Sequence, residues 1–173
     1  MKGIHRPLCR CRSFLLCHGF REGIFVGYRG YQHNKVEPLF PFGYGLSYTS
    51  FAYGQIELDK AKLRGRNDVL AAAVTVRNTG TRAGEEIVQH YIGDPVASRS
   101  RPVRELKGFQ KVALAPGEKK RVSFRITAAE MGFSRAERLA VPEPVFEPGM
   151  FVIQIGSSSQ TLATASVEWC ADA

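Results

Sequence analysis

The sequence predicts an all-β fold of two sheets packed face to face, on three observations: apolar and polar residues alternate in short stretches, Gly and Pro punctuate them regularly, and helical periodicity is nearly absent. Leu70, Ala72, Val74 and Val76 alternate with Ala71, Ala73, Thr75 and Arg77, and Val122, Phe124 and Ile126 alternate with Arg121, Ser123, Arg125 and Thr127. A period of two with one polar side is the mark of a half-buried strand. Further strands are predicted at Phe51–Leu58, Ile87–Ile92, Leu106–Leu114, Phe151–Ile155 and Thr164–Trp169, seven in all. Asn78-Thr-Gly80, Gly93-Asp-Pro95, Ala115-Pro-Gly117 and Pro148-Gly149 supply the turns between them. Seven short strands at this spacing suit a sandwich whose inner faces share one core. One helical turn is expected at Thr127–Met131, with Thr127 at its start and Gly132 at its end.

Length and composition agree with one such domain and an appendage. The chain has 173 residues, 44% of them hydrophobic and 10% aromatic, which is enough to bury a core and argues against disorder of the whole. The net charge of +8 would invite a nucleic-acid partner, but residues 1–29 hold six of the Lys and Arg and a single Glu. Elsewhere the basic residues are scattered, so no nucleic-acid partner is expected. No apolar run approaches the roughly 20 residues of a membrane-spanning helix, and no membrane partner is expected.

Residues 22–49 break the pattern. Aromatic side chains alternate there with Gly and Pro, so the stretch is neither an ordinary helix nor a solvated linker, and an aromatic segment of this kind is expected to press onto another protein surface. Glu22-Gly-Ile-Phe-Val-Gly-Tyr-Arg29 and Pro38-Leu-Phe-Pro-Phe-Gly-Tyr-Gly-Leu-Ser-Tyr-Thr49 resemble the junction between the second catalytic domain and the C-terminal domain of glycoside hydrolase family 3, the β-glucosidases and β-xylosidases. Val74-Thr-Val-Arg-Asn-Thr-Gly80, Gly84-Glu-Glu-Ile-Val-Gln89, Arg101-Pro-Val-Arg-Glu-Leu-Lys-Gly-Phe-Gln110, Leu114-Ala-Pro-Gly-Glu118 and Glu147-Pro-Gly149 through Gly156-Ser-Ser-Ser159 resemble the fibronectin type III-like domain of those enzymes. That resemblance implies an immunoglobulin-like sandwich over 51–173. It also implies that 22–50 is a remnant of the preceding catalytic domain plus an aromatic connecting strap, with 22–29 as that domain's last strand. Pro144 stands where the family often has Trp, so a strand near Leu139–Phe146 is expected to be short or at an edge.

Residues 1–21 form an unmatched basic head, expected to be disordered and to come from a truncated or frame-shifted reading frame. It lacks the apolar run and cleavage site of a secretory signal, and the chain offers no basis for assigning a compartment. Cys9, Cys11 and Cys17 crowd this head, with Cys170 far away, and their spacing does not make a convincing zinc site. No metal or cofactor is expected.

Chemistry is weighed from the carboxylates, because a retaining glycosidase needs two, about 5–5.5 Å apart. The resemblance implies that both lie upstream of anything matched here, so no catalytic residue carries over. Glu85, Glu86, Asp94 and Glu105 are expected to be solvated or paired with arginines such as Arg82, Arg101 and Arg104. His90 reads as a half-buried structural histidine and Ser157-Ser-Ser159 as a polar loop. The chain is therefore expected to be an inactive accessory module of a hydrolase of terminal β-linked glucose or related sugars. Phe40, Phe42, Tyr44 and Tyr48 are the candidate docking residues, and the catalytic domains of the parent hydrolase are the expected partner. Two alternatives stay open: a strap that packs only onto its own sandwich, and a free-standing module that binds carbohydrate or protein through exposed aromatic rings.

Overall fold

The computed structural model describes residues 23–134 and 144–171. The basic head with Cys9, Cys11 and Cys17, and the segment 135–143, lie outside the described residues. In chain order the elements are α1 (Tyr28–His33), β1 (Phe51–Tyr53), β2 (Glu57–Leu58), β3 (Lys62–Arg64), β4 (Val69–Asn78), β5 (Gly84–Gly93), β6 (Glu105–Leu114), β7 (Lys119–Thr127), α2 (Ala128–Met131), β8 (Phe133–Ser134), β9 (Pro144–Val145), β10 (Gly149–Gly156) and β11 (Leu162–Cys170).

Two sheets form the expected sandwich. In the first, β4 is central, β7 lies along one side of it, and β1 and β2 share the other. The second runs in the order β3-β11-β10-β5-β6, antiparallel except for β3 beside β11. The stretch predicted as one strand over 51–58 is split: Gly54 still donates its N–H to the Thr75 carbonyl at 2.9 Å, after which the chain leaves the ladder until Glu57. The small strand pair β8–β9 is the short strand expected near residue 146, and residues 139–143 of that expectation fall outside the described region. Helix α2 starts at Thr127 as predicted, where the Glu130 carboxylate accepts the Thr127 N–H at 2.8 Å.

The expectation of a strand at 22–29 is corrected. Residues 23–27 are irregular and Tyr28 opens helix α1 instead. Gly23 and Gly27 sit at φ +57° and +61°, which extended backbone does not allow, and a side chain at Gly30 would meet the Phe25 carbonyl oxygen at 2.4 Å. No strand neighbour is present for this piece among the described residues, so it curls locally.

The core is built from the inward positions of both sheets, with Leu70, Val74, Val76, Val122 and Ile126 facing Val88, Ile92, Ile153, Ile155 and Trp169. Trp169 plugs one end, its indole N–H donating to the Gly65 carbonyl at 2.7 Å and its ring meeting the edge of Phe146. Fully burying a side chain of this kind is worth about 1.5–3 kcal/mol. At the other end the polar side chain of Asn78 is completely buried. Its amide donates to the Arg82 and Leu114 carbonyls at 2.7 and 3.1 Å, and its oxygen accepts the Gly80 N–H and the Thr49 hydroxyl at 3.0 and 2.6 Å. The Asn78 backbone meanwhile accepts from Gly117 and donates to Glu118 in the β6–β7 turn. One side chain thus ties three turns to the end of β4.

His90 is not half-buried but only 1% exposed, pointing into the core against Phe124 with ring centroids 4.9 Å apart. Neither ring nitrogen has a partner among the described residues. Space for it comes from Gly108 on the neighbouring strand, where a β-carbon would stand 3.3 Å from Nδ1. Burial, aided by the Lys107 charge, pushes its pKa down to about 4.

Two outcomes follow from these buried polar groups. Asn78→Ala strands two carbonyls, an N–H and a hydroxyl, and should lower the unfolding free energy by about 3 kcal/mol in urea titration. For His90 the folded state resists protonation that the unfolded chain accepts from about pH 6.5 downward. The His90 contribution should therefore be lost as pH drops from about 6.5 to 4, by on the order of 3 kcal/mol, and change no further below. Asp68, Glu105, Glu118 and Glu168, all held low, lose their contribution only at lower pH, while Glu86, raised by burial, acts in the opposite sense. His90→Leu should flatten the pH 6.5–4.5 part of a melting-temperature profile, and an unchanged slope would remove His90 as its source.

Candidate docking surface

From Asn34 to Ser50 the chain forms an irregular strap across the outer face of β5, shaped by Pro38, Pro41, Gly43 and Gly45, which interrupt any ladder. Its inner side is anchored at three places. At the start, the Tyr28 ring stacks on Phe42 at 4.8 Å and meets the edge of Tyr91 at 6.0 Å, while its hydroxyl accepts the Leu106 N–H at 2.8 Å. In the middle, Ser159 donates its N–H to the Phe42 carbonyl at 2.8 Å, and the Ser159 carbonyl accepts from Gln32 and Arg104 at 3.2 and 3.0 Å. Gln89 donates to the Ser157 carbonyl at 2.8 Å and, at a longer 3.4 Å, to that of Gly43. Gly43 has φ +81°, and a side chain there would fall 2.1 Å from the Gln89 amide nitrogen, so only glycine fits. At the end, Thr49 reaches Asn78 and Ser50 accepts the Thr79 N–H at 2.8 Å. The buried Tyr91 hydroxyl donates to the Gln89 side-chain oxygen, and burial raises its pKa.

The outer side of the strap is bare. Phe40 is 66% exposed, Phe42 47%, Tyr44 52%, and Leu46 and Tyr48 91% each. Phe40 and Tyr44 lean on each other with ring centroids 5.4 Å apart, and Phe42 is divided between Tyr28 and solvent. Under residues 43–49 a hollow of about 520 Å³ is lined by Phe51, Tyr53, Glu86, Ile87, Ser157 and Thr161 among others. The four candidate docking residues thus share one segment, and most of their area adds nothing to this domain's own stability. Large exposed apolar patches are common at interaction sites, which makes this segment the candidate docking surface.

The carboxylates weighed from the sequence are each placed as follows. Glu85 pairs with Lys111, and Asp94 is buried against Arg101 at 2.8 Å. Glu105 feels burial pushing its pKa up, but Lys107, Arg29 and Arg101 around it win, and the net shift is downward. Glu86 is raised by burial and accepts the Tyr53 hydroxyl at 2.7 Å. Arg101 was an expected partner, whereas Arg104 serves the Ser159 carbonyl instead. Ser158 closes the β10–β11 turn by accepting the Gln160 and Thr161 N–H groups at 3.4 and 3.2 Å. Among the described residues no cluster of His, Cys, Asp or Glu has the makings of a metal site.

Sequence reasoning missed Gln89, Tyr91 and Arg104 as the strap's seat. Burial shows why: from Val88 to Gly93 every residue of β5 is buried, yet Gln89 and His90 interrupt the apolar run that would announce such a strand in the sequence. A strand without a polar face is covered on both sides.

Comparison with known proteins places this geometry. Residues 86–159 match the family model described as the fibronectin type III-like domain. The thermostable β-glucosidase B of Acetivibrio thermocellus is 44% identical over 143 residues, 83% of this chain and 18% of that protein. A β-xylosidase of Formosa agariphila is 42% identical over 130 residues, 75% of this chain and 17% of that protein. Among solved structures, a β-glucosidase from Kluyveromyces marxianus in complex with glucose superposes with a TM-score of 0.75 at 37% identity, covering 86% of this chain and 17% of that one. A β-glucosidase from Erythrobacter marinus gives 0.72 at 45% identity, over 77% and 17% of the two chains. The chain thus spans less than a fifth of the length of these relatives. A matched stretch of 143 residues is longer than everything from Phe51 to Ala173, so the likeness takes in part of the chain before the sandwich. Through that sandwich and the segment leading into it, the chain carries a fibronectin type III-like domain and is similar to the matching part of β-glucosidases and β-xylosidases of the glycoside hydrolase family 3 type.

Proposed function

We propose that this chain is a structural accessory module whose strap docks onto the catalytic domains of a family 3 β-glucosidase-type hydrolase and sets their orientation relative to the sandwich. The observation that carries the reading is the two-sidedness of residues 34–50: the inner side is anchored by hydrogen bonds to Ser159, Gln89 and Asn78, while Phe40, Tyr44 and Tyr48 project outward. Fully buried aromatic side chains remove about 150–250 Å² each from water. At about 25 cal/mol per Å², covering the exposed part of several gives a tether of several kcal/mol. The anchoring removes much of the ordering cost that a loose segment would bring to the interface. The relatives named above are β-glucosidases and β-xylosidases several times longer than this chain, which supports a partner of that class.

Carbohydrate binding by the module alone is the weaker reading. Trp169 is buried in the core, and Tyr28, Tyr53 and Tyr91 are held by the strap or the core, so among the described residues Phe109 on β6 is a lone open ring on a strand rather than one of a row.

The docking is tested by mixing this chain with the Acetivibrio thermocellus β-glucosidase B expressed without its matching segment. Sedimentation should show a complex, and the triple variant Phe40→Ala, Tyr44→Ala, Tyr48→Ala should weaken it by at least 30-fold, about 2 kcal/mol. The variant's own melting temperature should hold to within a few degrees, since these side chains are exposed. Equal affinity for wild type and variant would overturn the assignment of the strap. With chromogenic β-glucoside and β-xyloside the chain alone should show no turnover, and authentic turnover would overturn the accessory role.

A further inference from the structure

The basic residues that look scattered in the sequence are gathered by the fold. On β7, Lys119, Arg121 and Arg125 are all exposed and share one parity, so they stand on the outer face of the first sheet. Arg77 on β4 lies directly opposite Lys119 and is exposed on the same face. Alternate strand residues are about 7 Å apart, so the row from Lys119 to Arg125 runs for about 20 Å. Between the cations lie Ala71, Ala73, Thr75 and Ser123, a low floor without an aromatic or large apolar side chain.

The row is only partly neutralised. Glu57 reaches across β4 to pair with Arg121 at 3.1 Å, and Asp59 at the border accepts the Ala71 N–H at 2.8 Å. Among the described residues Arg77, Lys119 and Arg125 have no ion-pair partner. Arg77 and Lys119 form a like-charge pair directly across two strands, an arrangement that costs stability. The docking strap lies on the other sheet, over Gln89 and Tyr91, so this face stays open when the strap is occupied.

We infer that the outer face of the β4–β7 pair is a binding surface for an acidic polysaccharide, a linear chain of uronate-bearing sugars whose carboxylates pair with Arg77, Lys119 and Arg125. Three of the four cations are Arg, whose planar fork matches a carboxylate through two parallel hydrogen bonds. The flat floor of small residues admits an extended ribbon. Among the described residues the face carries no aromatic side chain for the stacking that single-stranded nucleic acid uses, and no large apolar side chain for the insertion that a bilayer surface needs. This inference is independent of the docking proposed above.

The test uses the full chain with polygalacturonate as probe at low ionic strength, read by affinity electrophoresis. Binding should be present, should weaken steeply between 50 and 200 mM salt, and should fall about tenfold or more in Arg77→Gln, Lys119→Gln, Arg125→Gln. The variant Lys35→Gln, Arg66→Gln, Arg82→Gln removes the same charge elsewhere and should bind as wild type. Equal losses in both variants would reduce the effect to net charge and overturn the site. A neutral β-glucan should not be retained. Stronger retention by single-stranded DNA or by anionic lipid vesicles than by polygalacturonate would overturn the assignment of the partner.

Discussion

Everything on one side of this molecule depends on β5 being buried on both faces. Its inward residues Val88, His90 and Ile92 close the core, and its outward residues Gln89 and Tyr91 are buried as well. A buried amide and a buried phenol need partners: the Tyr91 hydroxyl donates to the Gln89 side-chain oxygen, and the Gln89 amide donates to the Gly43 carbonyl of the strap and the Ser157 carbonyl of the β10–β11 turn. The irregular segment is therefore not an appendage draped over a finished sandwich. It is the cover that makes the second sheet's outer face a legitimate interior.

That cover has a second consequence. Among the described residues no further layer lies outside this strap of Pro, Gly and aromatic residues, so only one of its sides is covered. The inner side satisfies β5, and the outer side carries Phe40, Tyr44, Leu46 and Tyr48 into solvent. The two sheets thus present opposite chemistry: an aromatic face over β5 and a cationic one over β4 and β7.

How much of this was legible in the sequence varies with the range of the interaction involved. Six of the seven predicted strands, the turns at Asn78-Thr-Gly80 and Ala115-Pro-Gly117 and the short helix after Thr127 were legible because alternation, Gly and Pro act within a few residues, whereas the strand predicted over 51–58 is split and β3 went unpredicted. Residues 22–29 were misread as a strand, since the resemblance placed them in a neighbouring sheet, whereas in this chain Gly23, Gly27 and Gly30 let them curl into α1. The depth of His90 was underestimated because its space comes from Gly108 across the sheet, a residue that strand pairing brings opposite it from a distant segment.

By itself the sequence determined the class of fold, the position of the strap and the aromatic residues on it, because each is written in local pattern or composition. Only the tertiary structure decided which side of each strap residue is anchored, that Asn78 would knot three turns, and that Arg77 and Lys119, far apart in the chain, would stand side by side. The physical reason is register: strand pairing brings together residues of matching parity from distant segments, and no periodicity within one segment reveals what will lie across from it.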